Sequence, residues 1–211
     1  MKIKFCGIRR PEDVAYMNEF RPDYVGFVFA GTKRRVTPEK AAALARLLDA
    51  GIRKVGVFVD EPPENIARAV KLAGLNVVQL HGSETAQGIE RLRTLLPEAE
   101  IWKAVRVKNS GSIPHAQRLG ANMLLLDSFS VTEQGGTGKT ADLNLIRKAN
   151  LSSPFFLAGG LNSGNIGPIV REFSPYGVDV SSGIETGGVK DRRKIEQIMR
   201  ILRKESGKAE G

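Results

Sequence analysis

Short apolar runs along this chain stop repeatedly on glycine or on a polar, reactive residue. Lys4-Phe5 gives way to Cys6-Gly7, Tyr24 to Phe29 leads on to Arg34, and Val55 to Val59 ends at Asp60. Val77 to Leu80 ends at His81-Gly82, Ile101 to Val105 leads to Arg106, and Met123 to Leu126 ends at Asp127. Pro154 to Ala158 runs into Gly159-Gly160, and Tyr176 to Val180 into Ser181-Ser182-Gly183. The runs are rich in Val, Ile, Leu and Phe and do not alternate strictly with polar residues. That pattern predicts strands covered on both faces, as in a parallel sheet.

The stretches between them read as helices. Pro11-Glu12-Asp13 opens the first, since proline fits the first turn and acids complement its positive end. Thr37 is placed to cap the second, with Pro38 at its first position and Ala41 to Leu48 as its apolar body. Pro62-Pro63 introduces a third that Gly74 closes. Ser83-Glu84 precedes a fourth that Pro97 ends. Residues 111–120 and 142–149 give two shorter ones. Asn162 to Phe173 gives a seventh with an awkward Gly167-Pro168 interior, and Asp191 to Lys204 a long basic last helix. Strand and helix alternate roughly every 25 residues, the signature of repeated βα units. An open doubly wound sheet shows the same alternation, but eight even units in one short domain favour closure. The expected fold is therefore α/β, a single parallel eight-stranded (β/α)8 barrel over residues 1–205, with 206–211 a flexible tail. All eight strand tips would meet on one rim, where such a fold keeps its chemistry.

Size and composition fit this. The chain has 211 residues, 41% of them hydrophobic and 26% charged, enough core for one soluble domain. No apolar run approaches a membrane span. The first residues read as a strand rather than a leader, and a single cysteine cannot form an internal disulfide. A reducing, cytoplasmic setting is expected. The net charge of +9 fits a solvated basic surface, and beyond that an anionic small molecule or a nucleic acid. Aromatics are only 6% and no nucleic-acid motif is found, so neither a nucleic-acid nor a membrane partner is expected.

Several strand ends carry candidate chemistry. Cys6 is either a small core residue or, at a strand tip, a base whose thiolate is favoured by nearby positive charge. Asp127, directly after Leu124-Leu125-Leu126, is expensive to bury and should face the barrel mouth or find a partner. Together the two would suit a proton-transfer isomerisation. Gly159, Gly160, Ser181, Ser182 and Gly183, at the last two strand ends, are the strongest signal, since backbone N–H groups in such turns bind phosphate and barrels often hold one there. Gly135-Gly136-Thr137-Gly138-Lys139-Thr140 looks like a Walker loop but has Glu133 where the first glycine is needed. It reads as a mobile loop, able to cover the site. In Lys33-Arg34-Arg35 a guanidinium could hold a carboxylate with two prongs. His81 has no companion cluster at metal-ligand spacing and reads as a structural, hydrogen-bonded histidine. No metal site is expected.

Taken together, Lys4-Phe5-Cys6-Gly7-Ile8, Gly26-Phe27-Val28-Phe29, Gln79-Leu80-His81-Gly82, Leu125-Leu126-Asp127, Gly135 to Thr140, Ala158-Gly159-Gly160 and Ser181-Ser182-Gly183-Ile184-Glu185 resemble the phosphoribosylanthranilate isomerase family, in its order and over residues 2 to 203. The resemblance implies a TIM barrel of tryptophan biosynthesis that carries out an Amadori rearrangement without a cofactor on a small phosphorylated substrate, as a monomer or homodimer. It further implies Asp127 as general acid, Cys6 as general base, Arg34 on the anthranilate carboxylate with Arg35 the alternative, and Gly159, Gly160, Ser181 and Ser182 on the phosphate. Ala141-Asp142-Leu143 and the short Ala30-Gly31-Thr32 depart from the family pattern, which touches substrate affinity rather than the reaction. Residue chemistry alone leaves open another sugar-phosphate isomerase or epimerase, or a noncatalytic phosphate-binding barrel.

Overall fold

The computed structural model describes residues 1–31, 33–127, 143–149, 151 and 153–207. Eight strands close into a parallel barrel in sequence order: β1 Lys2–Cys6, β2 Tyr24–Val28, β3 Arg53–Phe58, β4 Val77–Leu80, β5 Glu100–Arg106, β6 Met123–Asp127, β7 Phe155–Ala158 and β8 Gly177–Val180. β8 returns to β1 with Val178 opposite Ile3 and Val180 opposite Phe5. The helices between them are α1 Pro11–Phe20, α2 Pro38–Ala45, α3 Pro63–Ala73, α4 Ala86–Leu95, α5 Ser112–Gln117, α6 Leu143–Lys148 and α7 Ile166–Phe173, with α8 Arg192–Gly207 last.

The absence of strict alternation has a direct cause. Phe5, Phe27, Val78, Leu80, Ile101, Leu126, Leu157 and Val180 face the helices and form one large core with them. The alternate set, Tyr24, Val55, Val77, Trp102, Leu125 and Phe156, forms a second cluster inside the barrel. Trp102 stacks on Phe156 with centroids 4.7 Å apart, and Tyr24 meets Trp102 edge-on at 5.0 Å. Strands β2 to β7 thus carry apolar residues on both faces, β1 and β8 instead turn the buried Lys4 and Asp179 inward, and the aromatic cluster makes the barrel interior a filled core.

Caps fix where the loops begin. Thr37 accepts a hydrogen bond from the Lys40 N–H, as expected of a cap. α4 is capped by Thr85, two residues after Ser83. Residues 83 and 84 belong to the preceding rim loop, where Glu84 pairs with the buried Lys103 at 2.7 Å. α7 starts only at Ile166, so Pro168 lies in its first turn, where the missing N–H removes no helical bond. α8 runs through Gly207, past the boundary expected at residue 205.

One element was not anticipated. After β8 a 3-10 turn, Ser182–Ile184, leads into a two-stranded ribbon, β9 Glu185–Thr186 and β10 Val189–Lys190. Lys190 lies opposite Glu185 across it. Gly187 and Gly188 make its turn at φ 57° and 77°, a two-residue connection that requires positive φ at both positions.

Candidate active site

The C-terminal ends of the strands surround a cavity of about 590 Å³. Its lining brings together Cys6, Arg34, Asp127, Gly159, Gly160, Ser181 and Ser182. These residues lie as much as 176 positions apart in the chain, and only barrel closure makes them neighbours.

Cys6 ends β1 and is buried. Two residues earlier, Lys4 is fully enclosed and pairs with Asp179 of β8 at 2.6 Å. Among the described residues the second carboxylate oxygen of Asp179 is buried without a hydrogen-bond partner, and Asp179 lines the cavity. Burial pushes the Cys6 thiol above its ordinary value, and the positive charges of Lys4 and Lys190 pull against that without reversing it. Burial also opposes the charge on Lys4, but Asp179 and Cys6 together outweigh it, and Lys4 sits above its usual value. The favourable cations expected beside Cys6 are therefore present, yet desolvation wins.

Asp127 ends β6, half-exposed in the mouth, in register with Arg106 at the end of β5. His81, from the end of β4, reaches it with Nε2 3.4 Å from the carboxylate, and His81 and Arg106 both line the cavity. The hydrogen-bonded histidine expected at 81 thus has Asp127 as its partner and lies at the cavity wall. The signal was there, since it ends a strand just as Cys6 and Asp127 do.

The two turns expected to bind phosphate meet side by side. Gly159 and Gly160 follow β7, and both side-chain amides of Asn162 and Asn165 donate to the Gly160 carbonyl at 3.0 Å. Ser181 and Ser182 follow β8. The Ser181 hydroxyl donates to the Cys6 carbonyl at 3.1 Å, so it ties β8 to β1. Gly183 is absent from the cavity lining. A Cβ there would collide with the Leu161 carbonyl oxygen. Gly183 is the contact point that lets one turn rest against the other.

Arg34 and Arg35 part company. Arg34 lines the mouth cavity, whereas Arg35 lines a separate groove beside Phe29 and Phe58 on the outside of the barrel. Arg34 forms two hydrogen bonds along one edge to Glu185, Nε to Oε1 at 2.8 Å and Nη2 to Oε2 at 2.6 Å. Lys190 adds a third contact to that carboxylate at 2.8 Å. Burial pushes the Glu185 carboxyl up, but the hydrogen bonds and charges of Arg34 and Lys190 outweigh it and hold it at about 2.

A model of the N-(5'phosphoribosyl)anthranilate isomerase family matches residues 3–200. The chain belongs to this family. An isomerase of that name from Thermoanaerobacter sp. (strain X514) is 42% identical over 203 residues, covering 96% of this chain and 98% of the relative. The crystal structure of phosphoribosyl anthranilate isomerase from Thermotoga maritima superposes with a TM-score of 0.84 at 36% identity, over 97% of this chain and 99% of that one. A further phosphoribosyl anthranilate isomerase, solved in complex with reduced 1-(o-carboxyphenylamino)-1-deoxyribulose 5-phosphate, superposes with a TM-score of 0.81 at 32% identity over 97% and 99% of the two chains.

In this isomerase the barrel, the rim and the meeting of the strand-end residues agree with the sequence reading. The buried Lys4–Asp179 pair and the ribbon carrying Glu185 were not read from it. The glycine-rich stretch Gly135 to Thr140 lies outside the described residues. Among the described residues no cluster of metal-ligand type occurs, and no helix is long and apolar enough to cross a membrane.

Proposed function

We propose that this isomerase converts N-(5′-phosphoribosyl)anthranilate to 1-(2-carboxyphenylamino)-1-deoxyribulose 5-phosphate in tryptophan biosynthesis, with Asp127 as general acid and Cys6 as general base. Asp127 gives its proton to the ribose ring oxygen. The C1′–O bond breaks, and the anthranilate nitrogen supplies the electron pair that closes the C1′=N Schiff base. The Cys6 thiolate removes the proton from C2′, and the electrons of that bond move to give the enolamine. Loss of the 2′-hydroxyl proton and gain of one at C1′ deliver the ketone. The carbon skeleton is oxidised at C2′ and reduced at C1′ in equal measure, so no cofactor is called for.

One observation carries this reading: Cys6 and Asp127 line the same cavity as two adjoining glycine and serine turns and a guanidinium. The turns from 159 and 181 would take the phosphate through backbone N–H groups. Arg34, rather than Arg35, would take the carboxylate. Lys4 and Lys190 supply positive charge beneath Cys6, which supports its thiolate form once the desolvation penalty is met. The reading also takes residues 1–205 as one folding unit and sets the protein in the cytoplasm, where its single thiol stays reduced.

The decisive assay follows the fluorescence of phosphoribosylanthranilate with the purified protein, alongside aldose phosphates that lack the anthranilate group. Turnover of the first and not of the others is expected. Turnover of a simple sugar phosphate alone would assign the barrel to a different isomerisation.

A further inference from the structure

We propose that Glu185 is a positioning residue for substrate recognition: it grips Arg34 along one edge so that the guanidinium's end is presented to the substrate carboxylate. The inference rests on the reading above that Arg34 binds that carboxylate.

The geometry of arginine makes both contacts compatible. A guanidinium carries five N–H donors in a rigid plane. Glu185 takes two of them, one on Nε and one on Nη2. The Nη1 and Nη2 pair at the end forms a second fork, and among the described residues nothing else bonds to it. Arg34 lines the cavity, so this second fork is the part left to meet a planar carboxylate with two parallel bonds.

Glu185 is itself firmly held, as a positioning group must be. It starts β9, and its side chain is only 9% exposed. Lys190, opposite it on the ribbon, donates to its Oε1 and to the Ser181 carbonyl at 3.1 Å. Lys194 donates to its backbone carbonyl at 2.6 Å. The other side of the grip is fixed too. Arg34's stem crosses Gly7, where a Cβ would come within 2.6 Å of its Cδ. Arg9 ties the Arg34 loop to the ribbon, bonding the Lys33 carbonyl at 3.0 Å and the Gly188 carbonyl at 2.6 Å. The ribbon thus links the carboxylate grip to the Ser181 turn and to Cys6. Without Glu185, a long side chain would have to be ordered at each binding event.

The test compares Glu185→Gln, Arg34→Met and the double variant with the parent. It measures kcat and KM for phosphoribosylanthranilate. It also measures inhibition by reduced 1-(2-carboxyphenylamino)-1-deoxyribulose 5-phosphate and by its counterpart without the ring carboxyl. Glu185→Gln is expected to raise KM and to weaken the carboxylated inhibitor by about tenfold, the scale of a charge-assisted hydrogen bond. It should leave kcat and the decarboxylated inhibitor nearly unchanged, and add nothing once Arg34 is methionine. Equal weakening of both inhibitors, or a full further loss in the double variant, would overturn the inference. If Arg34→Met itself treats both inhibitors alike, the carboxylate reading of Arg34 fails instead. Should Glu185→Gln not fold, Glu185→Asp asks the same question. Its shorter side chain keeps the charge but cannot hold both Nε and Nη2 in the same place, so the carboxylated inhibitor alone should weaken, and equal weakening of both inhibitors would overturn the inference.

Discussion

At the residue scale, the chemistry turns on what surrounds Cys6. Its thiol is raised by burial against the pull of Lys4 and Lys190. Because it is the only cysteine in the chain, alkylation reports on it directly. The rate of modification by iodoacetamide should rise with pH through a midpoint above the ordinary thiol value of 9.0. Lys4→Met should push that midpoint higher, and an unchanged or lower midpoint would contradict the electrostatic account. The same substitution strands the Asp179 carboxylate inside the barrel. Breaking a buried pair this way costs about 3–5 kcal/mol, visible as a lower urea midpoint. Cys6, Asp127 and Arg34 could be found in the sequence because each stands at or just beyond the end of an apolar run. Lys4 could not. A lysine inside a strand is ordinarily solvent-facing, and its burial is compensated above all by Asp179, 175 positions away. His81 was legible as a hydrogen-bonded histidine, but its partner Asp127 could not be named, because it arrives by folding.

At the element scale, the phosphate end depends on two turns being pressed together. Gly183 marks the contact, backbone against backbone, with the Leu161 carbonyl. Gly183→Ala must push the turns apart. Overpacking of this kind costs about 1–3 kcal/mol, and substrate KM should rise far more than kcat falls. A normal KM in this variant would show that the turns do not form the phosphate end. Strand and helix positions were legible because apolar periodicity and proline or threonine caps are local signals. The ribbon was missed although Thr186-Gly187-Gly188-Val189 carries a hairpin turn signal. Its strands are two residues each, too short for any periodicity to show.

At the scale of the whole molecule, closure converts eight separate strand ends into one cavity, and the sequence reading of a barrel rested on that even repetition. Of its basic residues, Arg34 and Arg106 line the cavity mouth, while Lys4 and Lys190 are buried in ion pairs with Asp179 and Glu185. The same ion pairs make the fold sensitive to acid. Glu185 ionises at about 2 when folded, against an ordinary 4.5. Between those values the unfolded chain takes up the proton and the folded chain does not, so the stability from this group, full above pH 4.5, is lost as pH falls toward about 2. Urea titrations at pH 5 and pH 3 should show a larger loss for the parent than for Glu185→Gln, and parallel losses would show that the carboxylate is not held as described.

The central claim is that one sulfur and one carboxyl group divide the proton transfers between them. It is tested most directly by steady-state rates of phosphoribosylanthranilate consumption in Cys6→Ala and Asp127→Asn, each confirmed as folded. General acid–base groups contribute roughly 10²–10⁴-fold. Each substitution should therefore lower kcat by that order while KM changes little. A kcat within a few-fold of the parent in either variant would contradict the account.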